Sequence, residues 1–566
     1  MKKHYYIIIL TGLGALCYLQ ACKKFDNALI DPNSPAPESA DVDLYLNAAQ
    51  ISFKNFYGST GVEPGLSENG EELTRMEYMA SRRYIDLYTP ESFNTVWNEA
   101  YRGVFQQVNT LIPLALTKNR PLHVGMACVL KAYTAATLVD FFGDVPYSEA
   151  NLGLENTNPK ADQGRAIYDN VFNLLDSAIN NFNKVTSSTP LPINDLFYSN
   201  ATVTDKASSW RRAAKTLKLK LLLQTRLVDN TVKEKINALI TDGELISTDA
   251  QAFTFKFGTK AINPNSRSDK FNTYYTSSGA NDYIGNYFVY TVFSDKGDNV
   301  DPRWRFYFYR QIGNVTLVPV SSLSCQNETA PPHYLNAVPA VPFCYANVAG
   351  FYGRDHGDDQ GIPPDGFQRL AWGVYPAGGK FDNSERVKVG VNDGGQGAGV
   401  LPIWQPAFTD FARAEAALTL GTDGDAKLLL KSGIEKSMAT VFGFGATINA
   451  PVDATRLQAA KDAVLPYLNI VLARYDAAST NADKLDIIMK EYYVALWGNG
   501  IESYNNYRRT GMPRGMQPNR NPAAGAFMRS MPYPGAYTNR NSDVVQKTTT
   551  NVKVFWDNNP DNIYVN

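Results

Sequence analysis

Apolar residues recur at α-helical spacing through two long parts of this chain, and that periodicity is its strongest constraint on the fold. Within residues 97–112 they fall on one face of a helix. Thr89-Pro90 offers an N-terminal cap and a first-turn proline, and Pro113 is expected to end the helix. Residues 122–142 are apolar nearly all round, which predicts a buried helix that ends at Gly143.

Helical spacing recurs further along the chain, whereas the middle has a different texture. The further predicted helices span 167–182, 210–221, 406–420, 424–441, 454–475 and 483–497. Short turns between paired helices suggest tetratricopeptide-like hairpins, although no strict repeat is visible. Glycine, proline, asparagine and aromatic residues crowd residues 251–402, which predicts loops and short strands. The predicted fold class is therefore mostly α.

The N-terminus has the layout of a lipoprotein signal peptide. Lys2 and Lys3 precede an uncharged apolar run at 5–19, which is too short to span a bilayer comfortably. The run ends in Leu19-Gln20-Ala21-Cys22, which resembles a lipobox, and a chance cysteine after a buried helix is the weaker alternative. We predict removal of residues 1–21, acylation of Cys22, and a flexible proline-rich tether over 22–43.

Charge and composition exclude some partners. Loss of Lys2 and Lys3 from 54 basic and 55 acidic residues leaves 52 against 55, a net charge of −3. Without a basic stripe, the chain has no electrostatic footprint for nucleic acid. Only 19% of residues are charged while 12% are aromatic, a composition that suits uncharged ligands.

The cysteines of the mature chain fall into three contexts. Cys22 is the predicted lipidation site. Cys128 lies in an apolar helical pattern and is predicted to be a buried free thiol. Cys325 and Cys344 flank a proline-rich loop and can pair in an oxidising compartment, which the sequence alone leaves open.

Short motifs spread along nearly the whole chain resemble those of the SusD/RagB-like outer-membrane lipoproteins, including their second, divergent branch. The most specific is Phe142-Gly143-Asp144-Val145-Pro146-Tyr147. The others are Trp97-Asn98-Glu99-Ala100-Tyr101, Asp301-Pro302-Arg303, Arg413-Ala414-Glu415-Ala416, Glu491-Tyr492-Tyr493, Tyr507-Arg508-Arg509-Thr510-Gly511 and Met531-Pro532-Tyr533-Pro534. Each motif also has a structural interpretation, as a cap, a turn or a buried ion pair, and we favour that interpretation at every one.

The resemblance implies a surface-exposed nutrient-binding subunit without enzymatic activity. Family members act as a lid on a SusC-like TonB-dependent barrel transporter and bind a glycan or a peptide. We expect a single SusD-like domain over 44–566. It would comprise a helical scaffold at about 44–250 and 403–500, a loop-rich ligand-side portion at about 251–402, and a closing segment at 501–566.

Aromatic residues next to amides and charges are the candidates for ligand binding, because rings cover the apolar faces of sugars while polar groups bond their hydroxyls. No family binding motif matches residue by residue. The selected residues are Tyr84, Tyr275, Tyr283, Trp304, Trp372 and Tyr375. The alternative is that these rings pack inward, as the alternation at 305–309 suggests.

Catalytic and metal-binding signatures are thin. His123, His333 and His356 stand in unrelated contexts, and no metalloprotease, phosphate-loop or nucleophile-elbow motif occurs. Aspartates at 295, 298 and 301, or at 355, 358 and 359, lack the loop spacing of a specific calcium site and are better explained as turn residues. No cofactor is predicted. A lipid-anchored glycoside hydrolase, which needs only two carboxylates, is the rival from another class.

The lipoprotein interpretation predicts the behaviour of Cys22→Ala. Without the acylated thiol, the protein should lose its lipid mass and its stable attachment to membranes. Mass spectrometry and membrane fractionation of the expressed protein check this. An unchanged mass together with unchanged membrane retention would contradict the prediction.

Overall fold

The computed structural model describes residues 41–199, 202–313, 324–346, 349–360 and 363–565. Cys22, the signal peptide and nearly all of the predicted tether lie outside these ranges. The first helix begins at Val42, two residues before the predicted start of the domain at residue 44. Asp41 caps it by accepting a hydrogen bond from the Asp43 amide.

Helices dominate both ends of the described chain, as predicted. Those of the N-terminal part are α1 Val42–Tyr57, α2 Leu66–Leu73, α3 Asn94–Asn98, α4 Gln106–Thr117, α5 Pro121–Phe142, α6 Gly164–Asn183, α7 Val203–Gln224 and α8 Val232–Asp242. The C-terminal part carries α13 Pro406–Leu420, α14 Ala426–Thr447, α15 Ala454–Asp462, α16 Val464–Ala477, α17 Asn481–Ala495, α18 Gly500–Thr510 and α19 Gly535–Thr538. Neighbouring helices pack as pairs, α5 on α6 and α13 on α14.

The middle of the chain is irregular, again as predicted. Its helices are short: α9 Asp269–Tyr274, α10 Asn286–Phe293, α11 Trp304–Tyr307 and α12 Pro332–Leu335. Antiparallel strand pairs join β3 Phe253–Lys256 to β6 Val400–Trp404 and β4 Phe308–Tyr309 to β5 Ala371–Trp372. A further pair, β1 Val145–Pro146 with β2 Ala161–Asp162, lies in the N-terminal part.

Two predicted helix boundaries were wrong. Pro113 does not end its helix but lies inside α4, with the apolar face of Leu111 and Ala115 buried against the core. The carbonyl that the proline leaves unpaired belongs to exposed Asn109, where water can satisfy it. The predicted helix 454–475 is instead two, because Pro466 has no amide hydrogen and is accommodated in the first turn of α16.

Helix α5 is buried on nearly every side, so the closing residue Gly143, with a φ of 79°, must turn the chain sharply. It is the one helix among the described residues that is long and apolar enough to cross a membrane, but 94% of its most apolar window lies inside the protein. Buried Asp140 near its end accepts hydrogen bonds from Tyr168, from Asn505 at 2.8 Å and from Trp556 at 2.8 Å. The helix is therefore a core element held by other parts of the chain.

The family-like motifs build buried polar contacts. Glu415 is fully buried and accepts two hydrogen bonds from Arg509, at 2.7 and 2.6 Å, and one from Arg226 at 2.9 Å. Asp301 binds Arg303 in the same forked manner. The structural interpretation of the motifs that contain Glu415, Arg509 and Asp301 is confirmed, because their charged atoms face one another and not solvent.

The structure shows the state of the three cysteines in the described ranges. Cys325 and Cys344 form a disulfide with their Cα atoms 5.6 Å apart. Cys128 is a buried free thiol, as predicted. Buried apolar side chains from Val42 to Tyr564 form one contiguous core, so the closing segment packs on the same core as the first helix.

Glu415→Gln should lower the free energy of unfolding by about 3–5 kcal/mol at neutral pH, because it leaves Arg509 and Arg226 buried without a counter-charge. Burial alone would raise the pKa of Glu415, but the two arginines outweigh it and lower the pKa below its ordinary value of 4.5. The ionised group therefore stabilises the fold above that value, and this contribution is lost as the pH falls through the folded-state pKa. Urea denaturation at pH 7 and pH 4 measures both effects.

Glu435→Gln is the matched control. Glu435 pairs with Lys431 at 2.6 Å on the neighbouring helix α14, but both side chains are more than 40% exposed. Its loss should cost less than about 1 kcal/mol. Equal losses for the two variants would show that the buried pair does not hold the helices together.

Candidate functional site

Five of the six rings selected from the sequence are buried. Tyr84, Tyr275, Tyr283, Trp372 and Tyr375 are each at most 2% exposed. Their burial favours the alternative of inward packing, since no ligand reaches these rings in this conformation. A ligand-binding role for these five stays a prediction that their placement does not support.

The contacts of these residues explain why they are buried. The Trp372 ring stacks on Trp497 with the centroids 3.7 Å apart. The Tyr275 hydroxyl donates to the Trp372 carbonyl at 2.7 Å. The Tyr283 hydroxyl binds the Asp365 carboxylate, and that of Tyr84 lies 3.0 Å from His356 Nε2. The hydroxyls of Tyr84, Tyr275 and Tyr283 thus have internal partners. The Trp372 Nε1–H is buried without a hydrogen-bond partner among the described residues, so that ring is held by stacking.

Trp304 is the exception, since it is half-buried and lines a cleft of about 320 Å³ with Arg456 and Tyr467. The guanidinium carbons of Arg305 and Arg310 lie 4.1 and 4.7 Å from its ring centroid. These cations already cover the indole, so Trp304 offers little free ring face for stacking on a ligand.

The groove whose lining best combines ring faces with polar groups lies elsewhere, around two phenylalanines that were not among the residues selected from the sequence. We call it the Phe255–Phe257 groove. It has a volume of about 590 Å³ and is bounded by the second half of α1, the turn after it, the end of β3, and the loop that leads into α9. Its wall includes Lys54, Asn55, Asn265 and Asn272 beside the two rings.

Strand geometry places these rings. Pairing with β6 sends Phe253 into the core, and the register shifts directly after it. Phe255 and Phe257 then lie on one side, both half-buried and edge to face with centroids 5.1 Å apart. The Phe257 amide continues the ladder by donating to Gly399 at 2.9 Å. The ring pair is therefore held by paired backbone.

Polar groups surround the ring pair. Lys54 Nζ lies 5.4 Å from the Phe257 centroid, donates to the Ser59 carbonyl at 2.7 Å, and is 3.6 Å from Asp269. Burial raises the pKa of Asp269, although Lys54 opposes this effect. Asn265 donates its amide to Asn272 at 3.2 Å. The groove thus offers apolar ring faces between amide, ammonium and carboxylate groups.

A small recess of about 40 Å³ adjoins the groove and shares Phe257 and Asp269 with it. Lys270 Nζ lies there, 3.3 Å from Glu68 and 3.0 Å from Glu71, and it also pairs with Glu77. Burial would lower the pKa of Lys270, but the three carboxylates raise it well above its ordinary value. The recess has room for about one water, whose share of liquid volume is roughly 30 Å³.

A cleft of about 700 Å³, larger than the Phe255–Phe257 groove, lies among helices α6, α7 and α8. Its charged walls are paired internally: Arg165 lies 3.6 Å from Asp229, and Lys215 pairs with Asp242. Phe172 is half-buried there, and the neighbouring ring of Tyr168, 6.4 Å away between centroids, is itself buried and donates to Asp140. Volume alone therefore does not identify the binding site.

The described residues give no geometric support for metal or histidine chemistry. No group of three or more histidine, cysteine or acidic side chains in the described ranges is arranged to hold a metal ion. Of the aspartates considered for calcium, Asp295 pairs with Lys490 and Arg474, and Asp355 accepts from Asn286 and Gln517. These acids engage protein donors, as expected of turn and core residues.

A local signal for the groove was present in the sequence. Phe253, Phe255 and Phe257 alternate directly before Gly258, and a loop rich in asparagine follows. The pattern is typical of a strand with one aromatic face, but residues 251–402 were read as a whole and the alternation was not singled out.

Two family models match the chain. Residues 37–319, half of the sequence, match "SusD-like_2", described as starch-binding associating with outer membrane. Residues 402–563 match "SusD-like", described as SusD and RagB outer membrane lipoprotein. No curated protein matches the sequence.

Solved structures share the fold at low sequence identity. A SusD/RagB family protein from Bacteroides thetaiotaomicron is 18% identical, with a TM-score of 0.64 over 92% of this chain and 100% of that one. A chitin-binding SusD homolog from Flavobacterium johnsoniae is 16% identical, with a TM-score of 0.61 over 92% and 100%. A protein described as chitin-binding is 18% identical, with a TM-score of 0.62 over the same shares.

The mostly helical architecture with few short strands agrees with these neighbours, and both family descriptions place such proteins at the outer membrane. The chain accordingly belongs to the SusD/RagB family of outer-membrane nutrient-binding proteins, whose members bind their ligands and are not enzymes.

Proposed function

We propose that this protein is the glycan-binding subunit of an outer-membrane uptake system and that it holds oligosaccharide in the Phe255–Phe257 groove. The observation that carries the proposal is the half-exposed ring pair set among amide and charged side chains. Apolar C–H faces of a sugar can cover the rings, while Asn55, Asn265 and Asn272 supply both donors and acceptors for its hydroxyls.

The dimensions of the groove agree with this role. Its volume of about 590 Å³ lies within the range of roughly 300–1,000 Å³ usual for small-ligand sites. Two relatives of the same fold are described as chitin-binding, which supports a carbohydrate as the ligand class. A peptide is the other ligand known in the family, and the binding experiment below separates the two.

The cellular arrangement is part of the proposal and rests on family membership. Cys22 would carry the lipid, the tether would reach from the membrane to α1, and the protein would face the cell exterior. There it would act as a lid on a SusC-like TonB-dependent barrel. The helical scaffold would contact the barrel while the groove delivers the ligand.

Truncation of the ring pair should abolish most carbohydrate affinity. Phe257→Ala and Phe255→Ala should each raise Kd about tenfold, equivalent to about 1.4 kcal/mol, because each removes an apolar face from the ligand. Calorimetry and gel retardation against a panel of polysaccharides measure the change. Thermal unfolding of each variant checks the fold, and Asn272→Ala tests the site without disturbing a ring.

Two control variants separate the alternative sites. Phe172→Ala alters a half-exposed phenylalanine in the interhelical cleft, and Trp304→Ala alters the cleft beside Arg305. Both should bind carbohydrate like the parent protein. Loss of binding in either control, with normal binding by Phe257→Ala, would show that the binding site lies in the cleft of that control and not in the Phe255–Phe257 groove. Binding of a peptide pool but of no carbohydrate would overturn the function itself.

The lid role predicts a stable partner. Gentle detergent extraction of outer membranes, followed by purification through a tag on this chain, should retain a TonB-dependent barrel in about equal amount. The same protein with Cys22→Ala, added to extracted barrel, should still bind it, because the contact is made by protein surfaces. Purification without any barrel would contradict this part of the proposal.

A further inference from the structure

The charges around the Phe255–Phe257 groove are unbalanced. Lys54, Lys256 and Arg267 line it, whereas Asp269 is the one carboxylate among its lining residues. Asp269 is already engaged by Lys54 at 3.6 Å. Two cations are left over, on a chain whose formal net charge is −1. The positive excess is therefore local to the groove.

Arg267 is held in place without losing its charge. Its Nε donates to the Thr259 carbonyl at 3.0 Å and its Nη1 to the Val391 carbonyl at 2.8 Å. Both partners are neutral backbone groups, and no described carboxylate pairs with the guanidinium. A half-exposed guanidinium fixed by two carbonyls is preorganised to bind an anion through its remaining N–H groups.

Lys256 adds a second free cation at the same groove. It is exposed at the end of β3, between the two phenylalanines in sequence, and forms no ion pair within the described ranges. Its backbone is fixed by pairing with Val400, and strand alternation starts its long side chain on the face opposite the two rings, so that Lys256 lines the groove at its rim. An anionic group bound beside the ring pair would therefore meet two unneutralised positive charges.

The recess that adjoins the groove at its inner end has an excess of acidic side chains. Glu68 and Glu71 surround Lys270 in the adjoining recess, where carboxylates outnumber the ammonium. An anion would be repelled there and attracted at the outer end. This gradient gives a ligand an orientation, with its charged group toward Arg267 and Lys256.

We propose that the Phe255–Phe257 groove selects oligosaccharides that carry carboxylate or sulfate groups, with Arg267 and Lys256 as the residues that bind the anionic group. The inference rests on the proposed glycan-binding function and narrows its ligand class. It also revises the expectation of uncharged ligands drawn from composition, because the average over the chain hides a local excess of two charges.

The test uses the mature protein and pairs of glycans that differ only in charge. Oligogalacturonate is compared with its carboxyl-reduced form, and a sulfated galactan with its desulfated form, by calorimetry in 20 and 300 mM NaCl. Kd for at least one anionic member should be at least tenfold lower than for its neutral partner at low salt. This difference in Kd should shrink at high salt, because ions screen the attraction between the anionic group and the cations of the groove. The pair of glycans that shows this difference in Kd identifies whether the groove prefers carboxylate or sulfate groups.

Variants assign the effect to residues. Arg267→Gln and Lys256→Gln should each reduce the difference in Kd between the charged and the neutral partner several-fold, because each weakens binding of the charged partner more than binding of the neutral one. Lys184→Gln, which removes an exposed lysine at the end of α6, should leave the difference in Kd between charged and neutral glycans unchanged. A positioning role in the loop alone would instead weaken charged and neutral ligands equally.

Three negative results remain distinguishable. Equal affinity for charged and neutral partners, with loss of both in Phe257→Ala, would overturn this inference and leave the proposed function standing. No binding of any glycan, or binding of an acidic peptide alone, would overturn the proposed function as well. Binding of the neutral members only would exclude the anionic preference directly.

Discussion

The packing of the helical scaffold follows from the burial of α5. This helix is apolar on nearly every side, yet it contains Asp140 at a position with no exposure at all. A buried carboxylate is tolerated only when its oxygens are bonded, and here the donors are Tyr168, Asn505 and Trp556. Tyr168 lies on α6, while Asn505 on α18 and Trp556 both belong to the closing segment, so one side chain brings α5, α6 and the closing segment together.

A second buried ion pair extends the same principle. Glu415 on α13, which has no solvent exposure, joins buried Arg509 on α18 and the largely covered Arg226 just after α7. Such groups contribute little net stability relative to apolar packing, but an unmatched partner is costly, so they favour one arrangement of helices over its alternatives. This explains why the family-like motifs coincide with buried polar contacts. They specify how the scaffold assembles and carry no information about the ligand.

The candidate binding groove lies where this scaffold meets the irregular portion. Helix α1 supplies Lys54 and Asn55, while β3 and the loop after it supply the rings, the amides and Arg267. Because β3 is anchored by β6, about 150 residues later in the chain, the ring pair keeps its place beside an otherwise irregular loop. A rigid platform next to free cations suits a polymer with flat apolar faces and charged substituents, which is the ligand class that we propose.

Local sequence patterns were enough to predict most of the helices, the loop-rich middle and the family. Apolar periodicity and capping residues act locally, so α5 and its end at Gly143 could be placed without the fold, whereas the effects of Pro113 and Pro466 could not. Which rings are free depends on the tertiary structure. Tyr275 and Phe257 stand in similar polar-aromatic surroundings along the chain, but Tyr275 stacks under Phe271 while Phe257 borders the groove. Burial of a ring depends on partners far away in sequence. Local alternation predicts which face of a strand the ring lies on, but not whether another part of the chain covers that face.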